Sequence, residues 1–404
     1  MPGPNRTHMT DLRGAAALMV DATSGVTRVV ERMHRTIQRV PGPAGAKTTD
    51  RPGGITGLVY RSVMAGIRLS GLGIDAGLQQ VAEWLPESET GSSQKRDALL
   101  SALNGVYGDF LADRNNPLAI DMTVRHAGTP IDLENPPAST VRGPAAASAA
   151  GQPGVSSGRL LLLVHGLCLN DDHWLRDGHD HGAELAEEFG YVPLYLRYNT
   201  GRRIADNGRE LAVGLETLVS RWPAPVTELV IIGHSMGGLV ARSACHFADL
   251  EKQTWRQHLR KLIFLGSPHY GAPLERGGHR LDRLLEISPY SAPLAQIGRR
   301  RSAGITDLRH GRITHGAPRI EPLPENVKCY AAAATLGAQR GLLSERLVGD
   351  GLVPIRSALG HHPDAGPTLG IPEQRQWVGY RMGHLELLGH PEVHSRLRCW
   401  IARD

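Results

Sequence analysis

The amino-acid sequence predicts an α/β fold built on a doubly wound, mostly parallel sheet, with a helical region before it and a long insertion within it. Short apolar runs of the kind that form buried parallel strands recur in the later part of the chain: RLLLLVHG, YVPLYLRYN, ELVIIGH, KLIFLGS and VKCYAAAAT. Helix-like segments lie between several of them, for example at 207–222 and 237–248. Since alternating strands and helices produce a parallel sheet covered on both faces, 159–404 is predicted to be one α/β domain.

The residues before this domain are predicted to form a separate helical region at 1–116. Apolar side chains recur there at the spacing of one helix face, in three segments. These faces either pack on one another or lie on a membrane surface, and packing is favoured because they are not strongly cationic. A strand pair at 117–134 and a linker rich in Pro, Ala, Ser and Gly at 135–158 then lead into the α/β domain.

Composition narrows the class of protein. With 41% hydrophobic and 21% charged residues, the chain is predicted to be globular. Its formal net charge of +5 comes from basic residues spread along the sequence, so no nucleic-acid partner is expected. Four isolated cysteines, without a recognisable secretory signal or spanning segment, predict a cytoplasmic protein, either free or peripheral to the inner face of a membrane. The oligomeric state is left open.

The stretch GHSMGG at 233–238 predicts a serine nucleophile. It fits the pattern G-x-S-x-G, with an apolar strand before it and a helix-like segment after it. A sharp strand-to-helix turn would hold Ser235 in a strained conformation, with Gly233 and Gly237 avoiding clashes, and the hydroxyl group would project beside the helix N-terminus. A phosphate-binding loop is not indicated, because the stretch contains no lysine for a phosphate.

Two backbone N–H groups are predicted to form an oxyanion hole for this serine. The first belongs to Met236, directly after the nucleophile, and the second to Leu167, in the loop VHGL that ends the first strand of the domain. Cys168 adjoins this loop and is predicted to be a small packing residue, since no base is expected beside it.

These motifs, together with SPHYGAPL, GDGLVP and GHLELLGHPEV, resemble the α/β-hydrolase superfamily. The resemblance is to its lipase and esterase branch, including bacterial lipases and hydrolases similar to GPI-inositol deacylases. It runs in order over about 160–400 and does not cover the helical region. It implies an α/β-hydrolase fold, a catalytic triad in the order Ser, acid, His, no cofactor, and a lid within the insertion at 268–324.

The implied order places the acid between Ser235 and a histidine near the C-terminus. Asp350 is the predicted acid, because it lies between glycines beyond the predicted strand at 327–335, and flanking glycines let a short side chain approach an imidazole closely. The rival acids, in poorer context, are Asp282, Asp307 and Asp364.

Three histidines compete for the role of the base. His384 directly follows the predicted last strand, so its ring could reach back over Ser235. His390 precedes a proline and is predicted to cap the following helix, and His394 lies one turn inside that helix. His384 is therefore the predicted base, with His390 and then His394 as alternatives.

The stretch NDDHWLRDGHDHGAEL at 170–185 is rich in histidines and acidic residues, the side chains that bind several divalent ions. Its spacing matches no defined metal motif, and it follows the loop of the predicted oxyanion hole. Polar groups at the mouth of a cleft or at a helix cap explain the stretch more simply, so no metal is predicted.

The sequence therefore predicts a cofactor-independent serine hydrolase that cleaves carboxylic esters, with a lipid or another apolar acyl ester as substrate. The same triad would serve an acyltransferase, which is a second hypothesis. A non-catalytic homologue that acts as a scaffold at a membrane through its helical region is a third, and the complete set of catalytic candidates argues against it.

Overall fold

The computed structural model describes residues 93–136, 157–271, 302–316, 320–338, 349–362 and 366–403. The predicted helical segments before residue 93, most of the linker and most of the insertion lie outside this part of the chain, so their roles stay predictions. The chain divides into two compact units, and the larger one comprises Ser93–Phe110 and Ile120–Asp404. The sheet and all five predicted site residues belong to this larger unit.

The larger unit is built on one eight-stranded sheet. The described strands, in chain order, are β1 (Thr123–His126), β2 (Thr129–Pro130), β3 (Arg159–Val164), β4 (Leu175–Arg176), β5 (His179–Asp180), β6 (Val192–Arg197), β7 (Glu228–His234), β8 (Leu259–Leu265), β9 (Lys328–Thr335) and β10 (Gln376–Tyr380). The sheet has the order β10-β9-β8-β7-β3-β6-β1-β2, and β4 pairs with β5 in a separate ribbon. Neighbours from β10 to β6 are parallel, whereas β1 is antiparallel to β6 and β2. The predicted doubly wound, mostly parallel sheet is confirmed.

Helices connect most of these strands. The described α-helices are α1 (Ser93–Ala112), α2 (His181–Phe189), α3 (Ile204–Arg221), α4 (Met236–Glu251), α5 (Ala303–His310), α6 (Ile355–Ala358) and α7 (Pro391–Ala402). Short 3-10 helical turns are formed by Asp171–Trp174, Thr254–Gln257, Glu373–Arg375 and His384–Leu388. Within the described ranges, no helix combines the length and the apolar character needed to cross a membrane.

Strand β3 shows how the helices cover both faces of the sheet. Leu160 and Leu162 are fully buried in a core that includes residues of α3 and α4. Leu161 and Leu163 are fully buried in a second core, which includes residues of α2 and α7. Because successive side chains of a strand point to opposite faces, the continuous apolar run of β3 supplies both cores at once.

Helix α1 carries two glycines at which other parts of the larger unit approach its backbone. A Cβ at Gly105 would lie 2.2 Å from Cys168 Sγ, and one at Gly108 would lie 1.8 Å from Asn199 Oδ1. Asn199 Nδ2 donates to the Gly108 carbonyl over 2.9 Å, and Ser302 Oγ donates to the Gly105 carbonyl over 2.7 Å. Any residue other than glycine at position 105 or 108 would therefore push α1 away from the loops that follow β3 and β6.

We predict opposite effects for two Gly-to-Ala substitutions in helices. Gly108→Ala places a methyl group on the Asn199 side chain, so we expect the free energy of unfolding to fall by about 1–3 kcal/mol, as in other overpacked sites. Gly214→Ala, within α3, brings its methyl group only to Leu133 Cδ1 at 3.6 Å. We expect it to raise the free energy of unfolding by about 0.4–1 kcal/mol, because alanine restricts the unfolded chain. Urea unfolding of the full chain measures the free energy of unfolding of both variants. If Gly108→Ala changed it no differently from Gly214→Ala, the close packing of α1 on Asn199 would be contradicted.

Candidate active site

The turn between β7 and α4 holds Ser235 in a strained backbone conformation. Its φ of 53° and ψ of −121° are rare for a residue other than glycine and cost about 1–3 kcal/mol. The Ser235 N–H donates to the Leu265 carbonyl of β8 over 2.8 Å, which fixes the turn to the sheet. A Cβ at Gly237 would lie 2.2 Å from the Val164 carbonyl oxygen, so only glycine fits there. The strand, turn and helix predicted around GHSMGG are all present.

The loop after β3 runs directly against this serine. A Cβ at Gly166 would lie 3.0 Å from the Ser235 Cβ, and the next residue, Leu167, is 1% exposed. Met236 is the first residue of α4, and the first N–H groups of a helix have no acceptor within that helix. The two predicted oxyanion-hole donors therefore lie on segments that meet at Ser235.

Buried side chains hold this loop in place. The Cys168 N–H donates to Thr200 Oγ1 over 3.2 Å. The Tyr198 hydroxyl donates to the His165 carbonyl over 2.9 Å, and the two rings stack with their centroids 4.5 Å apart. Burial lowers the pKa of His165 to about 3 and raises the pKa of the Cys168 thiol to about 12, so both side chains are uncharged near neutral pH. An uncharged, buried Cys168 agrees with the packing role predicted for it.

His384 and Asp350 form a buried hydrogen-bonded pair. Asp350 follows β9 in the chain, and His384 begins the 3-10 turn after β10. His384 Nδ1 lies 2.6 Å from Asp350 Oδ2, and the two side chains are 3% and 1% exposed. The other carboxylate oxygen, Oδ1, accepts from the Leu352 and Val353 N–H groups over 2.9 and 2.8 Å. Because a carboxylate only accepts, the proton of the neutral imidazole lies on Nδ1, and Nε2 has a free lone pair.

The His384 ring is seated against a glycine at the end of β8. A Cβ at Gly266, which has a φ of 61°, would lie 3.1 Å from His384 Cε1 and 2.8 Å from Leu387 Cδ1. Gly266 directly follows Leu265, the residue that accepts the Ser235 N–H. In the described part of the chain, His384 Nε2 is buried and has no hydrogen-bond partner. In structures without substrate, the hydrogen bond between a catalytic serine and its histidine is often long. The unpartnered Nε2 therefore agrees with the role of base for Ser235 that is predicted for His384.

Two of the rival candidates, Asp307 and His390, have other partners in the structure. Asp307 lies on α5 and accepts from the Ile204 N–H at the start of α3 over 3.2 Å. His390 is the N-cap of α7, where its ring accepts a backbone N–H of the first turn, as the sequence predicts. His394 lies one turn further along α7. The remaining rival acids, which lie outside the described residues, are Asp282 and Asp364.

Sequence reasoning passed over His234, the residue before the nucleophile. Its Nε2 lies 3.1 Å from the His384 carbonyl oxygen, and the two rings have their centroids 4.7 Å apart. Burial and, second, the neighbouring His384 lower the pKa of His234 well below its usual value, so the ring is neutral. A carbonyl only accepts, so His234 Nε2–H is the donor and holds the turn that carries His384. The pattern G-x-S-x-G makes no demand on this position, so the sequence contained no signal for it.

A family model described as the PGAP1-like alpha/beta domain matches residues 197–292. The match includes Ser235 and ends before Asp350 and His384. Together with the strand order, it confirms the resemblance to the α/β-hydrolase superfamily.

Several solved structures resemble the chain at low sequence identity. The mature form of the lipase BlEst2 from Bacillus licheniformis is 17% identical, with a TM-score of 0.41, and the match covers 69% of this chain and 98% of that one. Aspergillus fumigatus lipase B is 13% identical, with a TM-score of 0.35 and coverage of 61% and 53%. The RedJ thioesterase from the prodiginine pathway of Streptomyces coelicolor is 17% identical, with a TM-score of 0.35 and coverage of 64% and 98%. A comparison with curated proteins finds no match.

We predict that His234 positions the turn that carries His384. His234→Leu removes the donor to the His384 carbonyl. We expect the rate at which a fluorophosphonate probe labels Ser235 to fall about 100-fold, because a catalytic group displaced by about 1 Å can cost that much in rate. His234→Gln, whose amide can donate to the same carbonyl, should recover most of that rate. Thermal unfolding of both variants controls for loss of the fold. Equal labelling rates for the Leu and Gln variants would contradict the positioning role.

Proposed function

We propose that this chain is a serine hydrolase that cleaves carboxylic esters through Ser235, Asp350 and His384. The observation that carries the proposal is the buried 2.6 Å hydrogen bond between His384 and Asp350 in the unit that contains the strained Ser235 turn. All three residues follow parallel strands of one sheet, and ligands of open α/β sheets bind outside the carboxyl ends of such strands.

In the proposed acylation step, Ser235 Oγ attacks the ester carbonyl carbon while His384 Nε2 accepts the hydroxyl proton. Asp350 accepts the Nδ1–H of the resulting imidazolium and stabilises its charge. The two backbone N–H groups on its other oxygen keep the carboxylate in this orientation. The Leu167 and Met236 N–H groups donate to the oxyanion, and the loss of one such donor typically costs about 2.7–4 kcal/mol of transition-state stabilisation. His384 then gives its proton to the leaving alcohol.

The acyl group stays bound to Ser235 as an ester until water removes it. His384 Nε2 accepts a proton from the attacking water, and the same oxyanion-hole donors stabilise the second tetrahedral intermediate. Collapse of this intermediate returns the proton to Ser235 Oγ. The cycle consumes one water molecule and releases one acid and one alcohol, so it balances without a cofactor.

The proposed substrate is an ester with an apolar acyl group. Leu167 and Met236, whose N–H groups are the proposed oxyanion donors, have apolar side chains packed in the hydrophobic core. The predicted lid also has helical leucine spacing at 277–301, a pattern that suits the cover of a hydrophobic cleft. A hydrophobic cover over the cleft would favour an ester with an apolar acyl chain over an ester with a charged one.

We predict that Ser235→Ala abolishes ester hydrolysis and labelling by a fluorophosphonate. The expected loss in kcat is about 10⁶-fold, because the remaining groups of a triad act only as a unit. Ser395→Ala, at an exposed position of α7, is the matched control and should leave both readouts unchanged. In the wild type, kcat/KM should rise along a series of esters with longer acyl chains. Labelling that persists in Ser235→Ala would overturn the assignment of the nucleophile.

We predict that His384→Ala and His390→Ala separate the base from the helix cap. His384→Ala removes the proton acceptor and should reduce kcat by several orders of magnitude, with the fold retained by circular dichroism. His390→Ala removes an N-cap, so we expect about 0.5–2 kcal/mol of lost stability and nearly full activity. An inactive, folded His390→Ala beside an active His384→Ala would show that the other ring is the base.

A further inference from the structure

Three histidines outside the candidate triad come together at the side of the α/β domain. His179 is on β5, His181 is the first residue of α2, and His394 is on α7. One nitrogen atom from each ring lies within 4.8 Å of the others, and the His179 ring lies 4.7 and 4.8 Å from the other two, centroid to centroid. We call this group the three-histidine cluster.

The partners of two of these rings fix where their protons lie. His179 Nδ1 lies 2.5 Å from Glu184 Oε1, and His181 Nε2 lies 3.3 Å from the Leu387 carbonyl oxygen. Both oxygens only accept, so each of these nitrogens is the donor. In the neutral rings, the atoms left with free lone pairs are His179 Nε2 and His181 Nδ1, which lie 2.7 Å apart. Two lone pairs repel at this distance, so the pair needs a shared positive partner, either a proton or a metal ion.

The third ring offers a further nitrogen. His394 Nδ1 is buried and has no hydrogen-bond partner among the described residues, while its Nε2 lies 3.4 Å from Glu184 Oε2. The Glu184 carboxylate therefore faces one ring with each of its oxygens. Histidines that bind metals usually donate their second N–H to a carboxylate or a backbone carbonyl, which fixes the tautomer and the orientation of the ring. The cluster has both kinds of partner.

The backbone between two of these histidines is held rigidly. Asp180 Oδ1 accepts from the Gly182 N–H over 2.7 Å and from the Tyr195 hydroxyl over 2.8 Å. Asp180 thus caps α2 and is already engaged, while the rings on either side of it meet edge to face, with His179 Nε2 and His181 Nδ1 2.7 Å apart. This arrangement explains why a local stretch without a metal motif can still present two imidazoles together.

We propose that His179, His181 and His394 bind a divalent transition-metal ion, with Glu184 as the carboxylate that orients two of the rings. Neutral imidazole nitrogens suit Zn²⁺, Cu²⁺, Ni²⁺ and Co²⁺, whereas Ca²⁺ and Mg²⁺ prefer oxygen ligands. A tetrahedral ion with Zn–N distances of about 2.0–2.1 Å needs its ligand nitrogens about 3.3 Å apart. The His181 and His394 rings now stack at 12° with their centroids 5.6 Å apart, so binding requires the partly exposed His179 and His394 rings to turn toward the ion. Three protein ligands leave a fourth position for water.

The proposed ion would join two parts of the chain that are distant in sequence. His179 and His181 belong to the segment between β3 and β6, whereas His394 belongs to the C-terminal helix α7. Because His181 also donates to the Leu387 carbonyl, the ion would stiffen the turn that begins at His384. None of the three proposed ligands belongs to the triad, so the metal site can be tested independently of the hydrolase proposal.

Metal titration of the full chain, produced without a histidine tag and stripped with a chelator, tests the proposal. We expect calorimetry to show one high-affinity Zn²⁺ ion per chain at pH 7.5, and Co²⁺ to give the visible absorption of a site with nitrogen ligands. Added Zn²⁺ should raise the thermal unfolding temperature, because the ion binds the folded chain. His179→Gln and His394→Gln, at partly exposed positions, should each abolish this binding and the rise in unfolding temperature.

Two further variants sharpen the test. Glu184→Gln keeps all three ligands but weakens the orientation of the rings, so we expect an affinity about 10–100-fold lower. His310→Ala, an exposed histidine on α5, is the control and should bind like the wild type. Absence of saturable binding in the wild type would show that only a proton joins the rings. Binding that survives both His179→Gln and His394→Gln would place the ion elsewhere. Either result overturns the proposal.

Discussion

The hydrogen bond from His384 Nδ1 to Asp350 Oδ2 is the interaction on which the candidate site depends. A buried carboxylate costs several kcal/mol unless it is paired and hydrogen-bonded, and Asp350 has the imidazole on one oxygen and two backbone N–H groups on the other. Strands β9 and β10 are parallel neighbours, so the loops after them emerge at the same edge of the sheet. The parallel pairing of two strands therefore brings Asp350 and His384 together, and the tight turn after Asp350 orients the carboxylate.

Two buried imidazoles near the candidate nucleophile, His165 and His234, are neutral, and this matters for the proposed chemistry. Burial lowers the pKa of both His165 and His234, so neither ring is charged near neutral pH. His234 can then hold the His384 carbonyl without placing a second positive charge beside the imidazolium that His384 becomes during acylation. A charged ring at this distance would disfavour the protonated base, because like charges oppose ionisation.

Local sequence patterns predict some parts of the structure and not others. The strands and the serine turn were predictable because apolar runs, glycines and a G-x-S-x-G stretch act over a few neighbouring residues. Asp350 and His384 followed from their order along the chain and from the resemblance to a known fold. The contact between His234 and His384 joins residues 150 positions apart, and the approach of His394 to His179 joins opposite ends of the domain. Such pairings arise from the way helices pack on the sheet, which no periodicity within one segment encodes.

The loop that carries the proposed oxyanion donor Leu167 packs on a helix that the sequence resemblance does not include. The resemblance begins near residue 160, yet the Cys168 thiol packs on α1, with its Sγ 3.9 Å from the Ala102 carbonyl oxygen and with room only for glycine at 105. On its other side, the same loop is held by Thr200 and by Tyr198, through the His165 carbonyl. The donor assigned to Leu167 thus lies on a loop packed between α1 and the segment after β6. An oxyanion hole works only when its donors are fixed before the reaction, so under the proposed function α1 would support catalysis by holding this loop in place.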